Sequence, residues 1–300
     1  LTPRRKAGDA TQGAAMKVIA GVDWSDEAFA AVEQLGLLYK PDDVLLVHGV
    51  DLGMFQSPLM AGAANLQGYD EFRGAMVDAG RQAVERGRTL LPADIASVHT
   101  KSELHHAAAF ILDNAGTFKA DLIVVGTHDH SRLAELIVGS VSHHVLLHAR
   151  IPTLIVKHKA KPVTRVLLAV EGHDDATRVQ SWLMANPFRN PVAVTVLSIV
   201  PSLAMIEPNV MAVYQTWATE HQRQAKQIVQ ETAEALAGPR FTVTTDVRSG
   251  DPVSAVCEAA AGHDLIVVGS HGRHGVDRFL LGSVSHGIVH RAGCSVLVIR

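Results

Sequence analysis

The residues best suited to chemistry follow an apolar run near the end of the chain. Asp264–Ser285 reads DLIVVGSHGRHGVDRFLLGSVS, so Leu265–Val268 leads into Gly269, Gly272, Gly282 and Ser283 in a G-x2-G-x9-G-S spacing. Glycine lets a backbone come close to a ligand and take unusual dihedrals. A helix opening at Ser283 aims its unpaired N–H groups and the positive end of its dipole at whatever precedes it. The stretch is a candidate phosphate cradle. Residues 121–142, DLIVVGTHDHSRLAELIVGSVS, repeat it with Asp129 where the second glycine falls. A carboxylate there crowds and repels a polyphosphate, by about 1 kcal/mol or more where screening is poor.

Other reactive side chains point to less. His144 and His148, like His286 and His290, are four apart and share a helix face. Zinc needs further ligands, and neither an HExxH nor a cysteine cluster accompanies them, so they read as surface or interface histidines with no metal expected. His105 and His106, at the start of a helix, read the same way. There is no GxSxG elbow, and no Gly-Lys-Ser/Thr follows the glycines. Arg273 is the cation nearest to that missing lysine's role. A dedicated catalyst is not expected.

These motifs must be held by elements, and the elements are written twice. KVIAGVDWSDEA at 17–28 matches RVLLAVEGHDDA at 165–176 at an offset of 148, and the glycine stretches match at 143. A disordered lead is expected over 1–15, one domain over 16–157, a charged linker over 158–162 (HKAKP) and a second domain over 163–300. Apolar runs predict strands at 18–22, 44–50, 96–100, 122–125 and 153–157, and again at 165–170, 192–199, 241–247, 265–268 and 295–299. Helices are predicted after Ser25, over 71–91, 105–115 and 140–148, and over 208–237 in the second copy. The stretch 51–66 reads as a loop. The long helices read as core and lid or, with Met205, Met211, Tyr214 and Trp217 near the start of one, as lining for an apolar pocket. Strands alternating with helices imply parallel sheets covered on both faces, with ligands beyond the strand C-termini where the strand order reverses.

Composition narrows the function classes. The chain of 300 residues suits two domains, and a net charge of −3 leaves no electrostatic footprint for nucleic acid. No apolar run reaches the roughly 18 residues of a membrane helix. Cys257 and Cys294 lie apart in apolar runs, as buried reduced thiols of a cytoplasmic protein would.

Val22-Asp23-Trp24-Ser25 after the first strand, with Gly269, Gly272, Gly282 and Ser283 after the fourth, resembles the universal stress protein family in its tandem two-domain form. The resemblance spans residues 16–300, including the RSGDPVSAV junction at 248–256. It implies two flavodoxin-like, doubly wound α/β domains, each a five-stranded parallel sheet of order 3-2-1-4-5, paired dimer-like through their fifth strands. In one subclass it implies ATP (or ADP or AMP, with Mg²⁺ as an optional companion) at the switch point. No cofactor is required for folding. Carried over, the second copy offers Ala169, Glu171, Ile199, Val268, Gly269, His271, Gly272, Arg273, Gly282, Ser283, Val284 and Ser285. The first offers Gly21, Asp23, Gly49, Val125, Gly126, His128, Gly139, Ser140, Val141 and Ser142.

Each copy departs from the pattern. The first keeps Asp23 but has Asp129; the second keeps the glycines but has Glu171, with Gly172 and His173 in place of x-Ser. The second copy is therefore expected to be the main nucleotide site of a stress-related binding protein, at most a slow ATPase. The alternative is a nucleotide-free tandem scaffold holding a protein partner or an apolar ligand, and a homodimer of whole chains is compatible with either.

Overall fold

The computed structural model describes residues 15–51, 68–127, 139–202, 211–270 and 281–300. In the first copy β1 (Lys17–Gly21), β2 (Asp43–Val50), β3 (Ser97–Leu104), β4 (Leu122–Gly126) and β5 (Thr153–Val156) alternate with α1 (Asp26–Leu38), α2 (Tyr69–Thr89), α3 (Ala107–Phe118) and α4 (Ser140–His148). The second copy repeats this order. Its strands are β6 (Arg165–Ala169), β7 (Val192–Pro201), β8 (Phe241–Gly250), β9 (Leu265–Gly269) and β10 (Ser295–Ile299). Its helices are α5 (His173–Ala185), α6 (Met211–Leu236), α7 (Pro252–Ala259) and α8 (Ser283–Arg291).

The unbroken apolar runs form the central strands because both of their faces are covered. Val18 and Ala20 of β1 and Leu122 and Val124 of β4 pack into one core with α1 and α2 residues such as Phe29, Leu35 and Val84. Ile19, Ile123 and Val125 point the other way, into a second core with α3 and α4. β3 and β8 run longer than the apolar pattern suggests, since Lys101–Glu103 and Thr242–Ser249 pair through main chain while their side chains are half-buried or exposed. Polarity suits an edge strand, where one flank meets water.

All ten strands form one sheet, ordered β3-β2-β1-β4-β5-β10-β9-β6-β7-β8. The named strands pair parallel within each copy and antiparallel at the seam, where Ile155 lies opposite Val296 and Leu154 opposite Leu297. Each copy thus has the 3-2-1-4-5 order, and the expected pairing through the last strands occurs within the chain. Each edge closes the other.

Side chains reinforce the seam on both faces. Tyr39 of the first copy packs on Trp182 and Phe188 of the second, at 5.9 and 5.5 Å between centroids. Arg189 makes a two-pronged bond to Asp94 at 2.8 and 3.1 Å. On the other face, Lys157 Nζ donates to the Ala292 carbonyl at the end of α8, at 2.7 Å. Arg300, 143 residues later, donates to the Leu146 carbonyl near the end of α4. Each copy's final strand thus sends a cation to the negative end of the other copy's last helix. The 158–162 segment is tied at both ends: His158 Nε2 contacts the Gly293 carbonyl at 2.7 Å, and Lys161 pairs with Asp264 at 2.8 Å.

Some expectations need adjustment. Cys294 is buried, but Cys257 is half-buried. Met211 and Trp217 of α6 are exposed, with Tyr214 stacked on Trp217, so the described start of that helix is surface. The expected lead (1–14 of it) and the 51–66 loop (from 52 on) lie outside the described residues, as does Met205.

Candidate functional site

The strand order reverses between the parallel neighbours β1 and β4, and between β6 and β9, and each copy has a cavity beyond their C-terminal ends. The second-copy cavity measures about 400 Å³. Ala169 and Glu171 after β6, Ile199 of β7, and Val268 and Gly269 of β9 line it, facing Gly282, Ser283, Val284 and Ser285 at the start of α8. The first-copy cavity measures about 370 Å³ and is lined by Gly21, Asp23, Gly49, Val125 and Gly126, with Gly139, Ser140, Val141 and Ser142 opposite. Thus the described candidates of each copy meet at one cavity. His128, Asp129, His271, Gly272 and Arg273 lie outside the described residues.

Local chemistry explains the walls. Gly282 caps α8 in extended backbone and offers no side-chain acceptor, so the first-turn amides of the helix open on the cavity without a cap from that residue. Ser283 is exposed there, whereas Ser285 is buried and donates from Oγ to the Gly269 carbonyl at 2.6 Å, binding the helix to β9. Ser142 instead donates to the Gly139 carbonyl, 3.0 Å away. The Gly282 amide donates to Ser270 O at 2.7 Å, closing the base of the connection.

The glycine at the strand end has a different reason from the one its motif suggests. A methyl group on Gly269 would overlap the Asp175 carboxylate, and one on Gly126 would overlap the α1 backbone at Glu27. Both glycines therefore admit the first helix of their own copy.

Asp175 is the functional candidate that sequence reasoning missed. It is 7% exposed, lines the second-copy cavity, and has a buried Oδ1 without a hydrogen-bond donor among the described residues. Its Oδ2 accepts from the Glu171 amide at 3.3 Å, and Arg178 lies 3.6 Å from Oδ1. Burial pushes its carboxyl up to about 6; the Glu171 amide and Arg178 pull it down, and the Glu171 charge adds to the rise. β1 and β6 correspond at an offset of 148, but α1 and α5, each of 13 residues, correspond at 147. The connection is one residue shorter in the second copy, so Gly172, not His173, stands at the cap position of Ser25. At the third helical position the first copy has Ala28 and the second has Asp175. The difference in helix start was the available signal, visible in the loss of the cap hydroxyl.

In the first copy the carboxylate is arranged differently. Asp23 is exposed and accepts from the Ser25 amide at 2.8 Å and from the Ser25 hydroxyl, while Ser25 caps α1 by accepting from the Ala28 amide at 3.1 Å. His48 and Asp51 add polar groups to that wall. The second-copy wall is more apolar, with Leu197, Ile199, Pro201, Pro252, Val256 and Ile288.

Comparison with known proteins agrees with this architecture. The profile of the universal stress protein family matches residues 15–157 and again 162–300. A universal stress protein of Mycolicibacterium smegmatis is 26% identical over 299 residues, covering 94% of this chain and 96% of that one. One from Mycobacterium tuberculosis is 24% identical over 295 residues, with the same coverage of 94% and 96%. The crystal structure of a universal stress protein from Archaeoglobus fulgidus shares the fold, with a TM-score of 0.62 at 16% identity over 95% of this chain and 98% of that chain. With two matching copies covering nearly all of its length, the chain belongs to the universal stress protein family.

Proposed function

We propose that the second-copy cavity binds an adenine nucleotide and that the protein acts through this binding, as a regulatory or stress-protective module. The observation that carries the reading is the start of α8, whose first-turn amides and exposed Ser283 open on a cavity with an apolar opposite wall. A helix N-terminus suits a phosphate, and the Leu197, Ile199 and Ile288 side chains suit a base. A volume of about 400 Å³ lies in the range of roughly 300–1,000 Å³ usual for small-molecule sites. Glu171 and Asp175 supply acceptors for ligand hydroxyl or amino groups. The first copy, with the Asp129 substitution in its sequence, is the weaker site in this reading.

Calorimetric titration of the full chain with ATP tests this, beside a Ser283→Glu variant. A carboxylate at the first helical position favours the helix yet opposes a phosphate, so the variant should fold normally and bind at least about tenfold more weakly, a loss of roughly 1.4 kcal/mol. Absence of saturable binding by the parent protein sinks the proposal.

One observation favours a second reading. The described lining of this cavity carries two carboxylates, ten apolar side chains and no lysine or arginine. A scaffold holding an apolar ligand fits those walls. Native mass spectrometry of protein purified without additions separates the two by the mass of whatever co-purifies.

A further inference from the structure

The antiparallel seam brings the last helices of the two copies together on one face of the sheet, and three histidines meet there. His143 of α4 lies 5.4 Å, between ring centroids, from both His286 and His290 of α8, which are 4.4 Å from each other. One ring nitrogen from each lies within 4.8 Å of the other two. All three residues are half-buried. His143 Nδ1 and His290 Nε2 are buried without a hydrogen-bond partner among the described residues. A buried imidazole nitrogen without a partner is costly, and two in one cluster call for a common ligand.

We propose that His143, His286 and His290 form a zinc site that bridges the two copies. Zinc binds imidazole nitrogen at about 2.0–2.1 Å in tetrahedral geometry, so small ring rotations would bring three such nitrogens to it. Three neutral ligands leave a fourth position for water, as in sites that stay open to exchange. Imidazole ligands suit zinc, copper and nickel and not calcium or magnesium, which need oxygen. Burial first, and then the neighbouring His143, lower the proton affinity of both His286 and His290, and His286 lowers that of His290 further. Lys157 also bears on His290, but its ammonium is held by the Ala292 carbonyl.

The duplication accounts for the stoichiometry. His143 and His286 correspond at the repeat offset of 143, one from each copy, whereas His290 corresponds to Leu147. The seam therefore assembles one asymmetric site per chain, and the sequence spacing along a single helix gives no sign of it. A second group, His106, His144 and His148, lies nearby with ring centroids 6.0 and 4.3 Å from His144. It sits within the first copy and serves as the control.

The test is zinc titration of the full chain, stripped with a chelator, in competition with a chromophoric chelator and with Co²⁺ absorption as a geometric readout. One equivalent should bind, with cobalt bands of a tetrahedral site and a raised unfolding temperature. His290→Leu copies the residue of the first repeat and so should fold; it should weaken binding at least about tenfold, as should His143→Ala. His144→Ala should leave it unchanged. No binding by the parent protein, or a loss that follows His144 and spares His143 and His290, overturns the proposal. None of these readouts depends on nucleotide.

Discussion

At the scale of single residues, Asp175 is the most informative group in the molecule. An ionised carboxylate with a free buried oxygen costs stability, and such groups gather where a ligand is to be met. Its carboxyl is raised from 3.8 to about 6, so below pH 4 it is protonated in both folded and unfolded chains and carries no penalty. Between about pH 4 and 6 the folded state holds on to a proton that the unfolded state has lost, and stability falls as pH rises. Above about pH 6 the full penalty stands, at most about 3 kcal/mol for a shift of some two units. Asp175→Asn should therefore be more stable than the parent at pH 7.5 and indistinguishable from it below pH 4, as read by urea unfolding at the two pH values. A variant less stable at pH 7.5 than the parent would show that the Arg178 ion pair outweighs the cost of burial in solution. The sequence made Asp23 and Glu171 legible because a motif marks them. Asp175 was not legible, because one missing residue before α5 moves the helix register without altering the apolar pattern.

Among the elements, the strand and helix order could be read from apolar runs and from Ser25, and α4 and α8 start where their serines predict. The pairing of β5 with β10 followed from the family resemblance; what could not be read was the side-chain contact across that seam, since it joins residues about 140 positions apart and leaves no local signature. Lys157 shows what that contact costs. Burial lowers its ammonium from 10.5 to about 8, offset in part by the two cysteines nearby, while its proton-donating end caps α8. Below pH 8 the folded protein carries the full cost of the buried charge. Between about pH 8 and 10.5 the unfolded chain binds the proton and the folded one does not, so stability from this group rises with pH, by up to about 3 kcal/mol. Lys157→Met removes the titration. The stability difference between parent and Lys157→Met should move in the parent's favour from pH 7.5 to 10.5, measured by denaturant unfolding at each pH. A difference that stays constant over that range means that the lysine is solvated in solution.

For the whole molecule, duplication raises the question of whether the chain unfolds as two units or as one. Two-domain proteins commonly melt in separate steps. Here both hydrophobic cores continue across the seam: Leu154 and Leu297 belong to one, Ile155 and Val296 to the other. If one copy unfolded alone, β5 or β10 would become a bare apolar edge, and the Tyr39, Trp182 and Phe188 rings would lose their partners. Calorimetry should therefore show a single transition whose calorimetric and van't Hoff enthalpies agree. Phe188 is the sharpest probe, being 2% exposed and in contact with both Tyr39 and Phe241. Phe188→Ala opens a cavity costing about 3–5 kcal/mol. If the seam couples the copies, that loss lowers the one transition for the whole chain. Should the second copy alone shift, leaving a separate peak at the original temperature, the two copies are independent folding units that happen to share a sheet. The continuous cores favour the first result, because a cavity at Phe188 removes contacts from the first copy's Tyr39 as directly as from its own β8.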